Sequence, residues 1–197
     1  MSSNQFVGAI PTSLKSLTSL TYLFLSDNEY LDQGAIPEWI QDLVNLRELS
    51  LRKTVRMGTI PIWLDELTQL QLLDLSGNAL TSTIPPSLGY SSSLRFLLLN
   101  RNNLNGTVPE DLNQLDNLEL VMLDKNSLQG DVDAIFCDKK KLEVLTSDCK
   151  LPEVQCTCCS KCCSDDNDSC NADYSIVGQL DASLETGYKQ EGYDLNP

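Results

Sequence analysis

Eight cysteines are the most reactive side chains in this 197-residue chain. All of them, Cys137, Cys149, Cys156, Cys158, Cys159, Cys162, Cys163 and Cys170, fall between residues 137 and 170. Cys156-x-Cys158-Cys159-x-x-Cys162-Cys163 brings several sulfurs within reach of one tetrahedral zinc. An even count in a short stretch equally suits a disulfide framework in an oxidising compartment. The two widely separated Cys-x-x-Cys knuckles of ordinary zinc modules are missing, and Cys137 and Cys149 fit a structural closure better than a metal shell. Disulfides are therefore expected and no metal is assigned. Vicinal pairs such as Cys158-Cys159 and Cys162-Cys163 are sterically poor partners, so each sulfur is expected to reach a different strand or loop, with the connectivity left open.

Other chemistry is thinly represented. The chain has no histidine, which removes the commonest general base and with it Ser-His-Asp and Cys-His catalysis. Asp65, Glu66, Glu110 and Asp111 sit beside prolines as helix-start residues, so neither catalytic residues nor a cofactor are assigned. Asp165-Asp166-Asn167-Asp168 has the look of a calcium loop, but an EF-hand would need Gly where Cys170 stands and Glu where Ile176 stands. Asn105-Gly106-Thr107 and Asn167-Asp168-Ser169 are candidate glycosylation acceptors. The net charge of −14 is shared equally between residues 1–150 and the much shorter 151–197. Such a charge repels phosphate backbones and anionic lipid, which argues against nucleic-acid and membrane-surface partners. No run approaches the roughly 20 apolar residues that span a bilayer, and Met-Ser-Ser-Asn-Gln-Phe has no secretory-signal character.

The elements that position these groups follow from an internal repeat. A unit Leu-x-x-Leu-x-x-Leu-x-Leu-x-x-Asn-x-Leu-x-Gly-x-Ile-Pro-x-x-Leu starts at Leu17, Leu43, Leu67, Ser91, Leu115 and, incompletely, Lys139; the first step is 26 residues and the others 24. Glu29-Tyr30-Leu31-Asp32-Gln33 supplies the two extra residues and belongs on a surface loop. Each unit predicts one short strand, with Leu23 and Leu25, Leu49 and Leu51, Leu73 and Leu75, Leu97 and Leu99, and Val121 and Leu123 inward on alternate positions. Asn28, Asn78, Asn102 and Asn126 recur after the strand, where an amide satisfies backbone groups at a buried turn. Thr54 stands in that column with a single donor, so its turn is expected to be the least well tied. Ile10-Pro11, Ile36-Pro37, Ile60-Pro61, Ile84-Pro85 and Val108-Pro109 bury an aliphatic and then fix the backbone at a turn; Asp133 breaks the column.

The in-phase repeats, and above all Leu104-Asn105-Gly106-Thr107-Val108-Pro109, resemble the plant-type leucine-rich repeat over about residues 4–149, with departures at Arg56, Ser82 and Asp133. The resemblance implies an α/β repeat solenoid: a right-handed superhelix with a concave parallel β-sheet, short 3₁₀ or extended convex segments and a Cys-rich C-terminal cap. Residues 1–16 read as a truncated half repeat, because Asn4, Phe6, Gly8, Ile10, Pro11 and Leu14 match a second half in phase and Met1 falls at a strand leucine; an N-terminally incomplete chain is expected. Five repeats fill 17–138, a partial repeat and cap 139–163, and an acidic tail expected to be disordered 164–197. The Cys-rich segment resembles the closing element of leucine-rich-repeat proteins of diatoms.

Residues flanking the strand leucines project from the concave sheet in columns about 4.8 Å apart. One column reads Tyr22, Glu48, Leu72, Phe96, Leu120 and Val144; the next reads Phe24, Ser50, Asp74, Leu98, Met122 and Thr146. Phe96, Leu98, Leu120 and Met122 are thereby expected to form an exposed apolar patch, and Tyr22, Phe24 and Leu72 to extend the ligand-facing surface. Asp27, Lys53, Gly77, Arg101 and Lys125 follow at the strand ends, making a rim in which Lys53, Arg101 and Lys125 are candidate ligand contacts. The tail, through Asp165, Asp166 and Asp168, is expected to lie against these cations and screen the patch. By its resemblance to plant receptor ectodomains and polygalacturonase-inhibiting proteins, the chain is expected to be a non-catalytic recognition module, secreted or at the cell surface, binding a protein, peptide or glycan. A structural adhesion or ice-surface protein is the alternative, and a thiolate metal-binding cap the next; the oligomeric state is left open.

Overall fold

The structure, a computed structural model, describes residues 5–149 and 153–163. Met1, Asn4, Asn167, Cys170, the Asp165 to Asp168 run and the tail 164–197 lie outside them. From the second strand onward, strands alternate between two parallel sheets, as a coil that returns to the same face every 24 residues requires. The longer sheet contains, side by side, β1 (Tyr22–Phe24), β2 (Glu48–Ser50), β4 (Leu72–Asp74), β6 (Phe96–Leu98), β8 (Leu120–Met122), β10 (Val144–Asp148) and β12 (Lys161–Cys163). The second sheet stacks β3 (Met57–Gly58), β5 (Ala79–Ser82), β7 (Asn103–Thr107), β9 (Ser127–Asp131) and β11 (Val154–Gln155) in order. Parallel neighbours joined by such crossings coil right-handed, the sense imposed by strand twist.

Short 3₁₀ turns close each coil: Thr12–Ser16, Glu38–Asp42, Ile62–Glu66, Pro86–Tyr90 and Glu110–Gln114, entered from Pro11, Pro37, Pro61, Pro85 and Pro109 in extended conformation. Proline suits that entry because its missing N–H costs nothing ahead of a helical turn. Where Asp133 breaks the column the turn becomes a short α-helix, α1 (Asp133–Phe136). Gly89 lets successive turns approach, since a Cβ there would lie 2.4 Å from the Asp111 carbonyl oxygen. Ser82 occupies the place of Gly58, Gly106 and Gly130 and shares their positive φ, at 71°.

The strand leucines, the second-sheet leucines and the aliphatics before proline pack into one apolar cluster running the length of the coil. Asparagines stitch its buried turns. The Asn102 amide donates to the Leu75 and Leu99 carbonyls, each at 3.0 Å, and accepts from the Leu80 N–H at 3.1 Å. Asn126 repeats the pattern with Leu99, Leu123 and Leu104, and Asp148 ends the ladder by accepting from the Lys125 and Asn126 N–H groups at 2.9 and 3.0 Å.

The turn at Thr54 is better tied than its single donor implied. Its hydroxyl donates to the Leu51 carbonyl at 2.6 Å and its N–H to Asn78 Oδ1 at 3.1 Å. The remaining polar groups are met by Arg56, which is buried at the repeat position of Leu80, Leu104 and Leu128. Arg56 Nε donates to the Thr54 carbonyl at 2.8 Å, and its guanidinium also bonds the Asp32 and Ala35 carbonyls. A departure from the repeat thus staples the two-residue insertion in the neighbouring coil, a five-donor fork serving backbone that leucine cannot.

Candidate functional site

The longer sheet turns one side toward the core and presents the other as the concave face. Its register sets Tyr22, Glu48, Leu72, Phe96, Leu120 and Val144 opposite one another in one row, and Phe24, Ser50, Asp74, Leu98, Met122 and Thr146 in the next. The cap adds Lys161 to the end of the second row. Parallel pairing holds these rows because a one-residue slip would put every strand leucine on the wrong side.

The face divides into a polar and an apolar half. Ser26, Ser50, Asp74 and Ser76 are fully buried and linked: the Ser26 and Ser50 hydroxyls meet at 2.6 Å, Ser50 donates to Asp74 Oδ2 at 3.1 Å, and Asp74 Oδ1 accepts from the Ser76 hydroxyl at 2.6 Å. Burial pushes the Asp74 carboxyl above its ordinary value, opposed by Arg52 and by the serine hydrogen bonds. The apolar half joins Leu72, Phe96, Leu98, Leu120 and Met122, with the Arg95 guanidinium 5.1 Å from the Phe96 ring centre and bidentate on Glu119 at 2.7 and 2.9 Å. At the polar end the Tyr22 and Phe24 rings stack at 6.5 Å.

Exposure is where the structure departs from the sequence reading. Tyr22 is open at 36% and Met122 is half-buried, but Phe24 is 7% exposed, and Leu72, Phe96, Leu98 and Leu120 are at 1% or less. The expected exposed patch is therefore contiguous and covered. Rows of large side chains about 4.8 Å apart shield one another's flanks. These residues also stand apart from the cluster between the sheets.

The rim residues Asp27, Lys53, Gly77, Arg101 and Lys125 share a left-handed backbone, with φ between 48° and 66°. That common conformation was not legible in residue types so varied; it turns the chain out of each strand and places one side chain per coil along the rim, except at Gly77. Asp27 offsets part of the basic character, pairing with Arg52 at 2.5 Å and Lys53 at 3.7 Å.

Glu48 was named in the sequence only as a member of a row, yet it has the most distinctive chemistry on the face. It is 6% exposed, and its Oε2 has no hydrogen-bond partner among the described residues. Burial pushes its carboxyl up to about 7, against the pull of Arg95. A raised carboxyl pKa stabilises the fold fully below the ordinary value of 4.5, and this contribution is lost as pH rises to about 7. Glu48→Gln is thus expected to gain about 1–2 kcal/mol above pH 8 and nothing near pH 4, a buried amide keeping part of the desolvation cost. Urea unfolding of both proteins across that range checks it: midpoints that differ by the same amount in acid and base would contradict the assignment.

At the C-terminal end Cys137 bonds Cys158, Cys149 bonds Cys162, and Cys156 bonds Cys159, with Cα separations of 5.5, 5.1 and 5.6 Å. Cys163 is disulfide-bonded too. Asp133, whose carboxylate accepts from the Thr157 N–H and hydroxyl at 2.7 Å each, joins Cys156 and Cys158 as the one group of metal-type donors among the described residues. With both sulfurs in disulfides it offers no thiolate pair, so the zinc alternative lacks its ligands here. Asn105, the described glycosylation candidate, is exposed on β7. Asp65, Glu110 and Asp111 lie in the first turns of their 3₁₀ segments, apart from any shared site.

The family model described as Leucine Rich Repeat matches residues 69–91 and 93–115. A comparison with curated proteins found no match. Among solved structures the chain is similar to the plant peptide hormone receptor RGFR1 in complex with RGF2, at 34% identity and a TM-score of 0.68 over 74% of this chain and 23% of that one. It is similar to the Arabidopsis receptor kinase HAESA in complex with the peptide hormone IDA and the co-receptor SERK1, at 31% and 0.64 over 66% of this chain and 22% of that one. A plant ice-binding protein matches at 32% and 0.59, over 72% of this chain and 52% of that one. The chain thus spans about a quarter of each receptor and half of the ice-binding protein.

Proposed function

This chain is a leucine-rich-repeat protein of the plant type, and from that premise we propose that it is a non-catalytic, extracellular recognition module that binds a protein or peptide along its concave face. The observation that carries this reading is the register-locked apolar run of Leu72, Phe96, Leu98, Leu120 and Met122, beside the Arg101 and Lys125 rim. Aromatic, methionine and arginine side chains are the types enriched in binding cores. Parallel rows suit an extended segment, which can lay one apolar side chain against each coil. Receptors similar to this chain are seen with peptide hormones, and the cap disulfides suit an oxidising exterior.

A glycan is the second ligand class, favoured by the stacked Tyr22 and Phe24 rings at the open end. The ice-surface alternative predicts flat, repeated Thr or Asn rows, whereas the concave rows are mixed.

Selection of binders from a random-peptide library tests the proposal. Selected peptides are expected to lose roughly tenfold or more in affinity against Met122→Glu, a substitution at a half-buried position, with thermal unfolding of the variant little changed. Binders indifferent to that substitution would place recognition elsewhere.

A further inference from the structure

Four carboxylates are buried among the described residues, and three of them are served: Asp74 by the Ser50 and Ser76 hydroxyls, Asp124 by the Thr146 hydroxyl, and Asp148 by the Lys125 and Asn126 N–H groups. Glu48 is the exception. It is 6% exposed, and its Oε2 has no hydrogen-bond partner among the described residues. We infer that Glu48 is the specificity anchor of the concave face and receives a cationic side chain, an arginine or a lysine, of the peptide bound there. The inference rests on the concave face being the peptide-binding surface and adds which residue that surface selects.

The surroundings favour a cation over a neutral donor. Arg95, the protein's own counter-charge to Glu48, is bidentate on Glu119 at 2.7 and 2.9 Å. Register places Tyr22 directly beside Glu48, and the Tyr22 ring stacks with Phe24 at 6.5 Å. A ring next to a carboxylate suits a basic side chain, because the ring packs on the stem and attracts the charge while the acid accepts the hydrogen bond. The net charge of −14 draws a basic segment toward the protein at long range.

Without a partner the Glu48 carboxyl is pushed up by burial to about 7, so its charge costs the free protein stability, a trade met where a group is held for binding. A cation in contact favours the ionised form and offsets that cost. The oxygen is itself out of solvent, so binding requires a neighbouring side chain to turn aside. Tyr22, 36% exposed, has room to do so, and rotamer changes of this kind are common at interfaces.

The row also fixes a spacing. Glu48, Leu72, Phe96 and Leu120 are successive partners in register, which puts Leu120 about 14 Å from Glu48 at about 4.8 Å per coil. Extended peptide rises about 3.3 Å per residue and turns alternate side chains to one side. A basic residue on Glu48 therefore sets an apolar residue about four positions away against Leu120.

Peptides selected from the random library test the inference. They are expected to carry arginine or lysine about four positions from an apolar residue. Replacing that residue by citrulline or norleucine is expected to lower affinity for the wild-type protein at least roughly tenfold, the scale of a broken buried charge pair. Against Glu48→Gln the basic peptide and its neutral counterpart are expected to bind within about twofold of each other, so that the two substitutions are coupled. Glutamine keeps the shape of the side chain, which leaves the fold in place for the comparison.

Binders without a basic residue would overturn the inference, as would a basic residue that contributes as much against Glu48→Gln as against wild type. Either result, from peptides that Met122→Glu still weakens, leaves the recognition function standing without this anchor. A library that yields no binder sensitive to Met122→Glu overturns both readings.

Discussion

Asn102→Ala is expected to lower the unfolding free energy by about 2 kcal/mol, although it removes no charge and opens no large cavity. The Asn102 amide is 6% exposed, and its two donors and its acceptor serve the Leu75, Leu99 and Leu80 backbones. An alanine leaves the Leu80 N–H buried without its acceptor, and takes from the Leu75 and Leu99 carbonyls one asparagine donor each while the Asn78 and Asn126 amides stay on them; an orphaned buried donor costs about 1–3 kcal/mol. Asn102→Asp is the sharper comparison. It keeps the acceptor for the Leu80 N–H but turns carboxylate oxygens on the two carbonyls, so its loss is expected to match or exceed alanine's at neutral pH and to shrink as the carboxyl protonates. Chemical denaturation of the three proteins measures both effects; a loss below about 1 kcal/mol for the alanine variant would show that the ladder contributes little.

Removing the Cys137–Cys158 bond by paired serine substitution is expected to cost about 3 kcal/mol, the loop-closure value for a link whose ends are 21 residues apart. The location of the loss is more telling than its size. A solenoid coil touches only its neighbours, so loosening the end coil frays the structure from that end inward. Hydrogen exchange is expected to accelerate in α1, β10 and β12. The environment of Trp39 and Trp63, which pack on the core several coils away, is expected to stay as it was until global unfolding. Tryptophan fluorescence and exchange measured on one sample separate the two regions, and a uniform loss of protection would mean that the cap does not close the solenoid as a local unit.

The face on which the proposed ligand binds was half legible in the residues. Tyr22, Glu48, Leu72, Phe96, Leu120 and Val144 fall in one row by counting alone, and the strand register repeats that count position for position. Their exposure was not legible, because burial depends on what lies above a side chain as well as on the direction in which it points. Glu48 and Asp74 illustrate the difference: both sit where an outward, solvated carboxylate is expected, and both are buried far enough to raise their pKa.

The amino-acid sequence by itself determined the repeat, the concave strands β1, β2, β4, β6, β8 and β10 with their register, the core and the confinement of all the cysteines to the closing end. It could do so because side chains alternate sides along a strand and the pattern recurs every 24 residues, so that only one in-phase stacking buries every leucine. The tertiary structure decided what involves groups brought together from different coils. Arg56 reads in sequence as a lapse from leucine and becomes a staple only when the inserted loop at Asp32 and the following Ala35 are folded against it. The pairing of Cys137 with Cys158, of Cys149 with Cys162 and of Cys156 with Cys159 belongs to the same class. Periodicity specifies which side of a strand a residue occupies, while a disulfide, a buried cation or a covered patch is specified by distance across the fold.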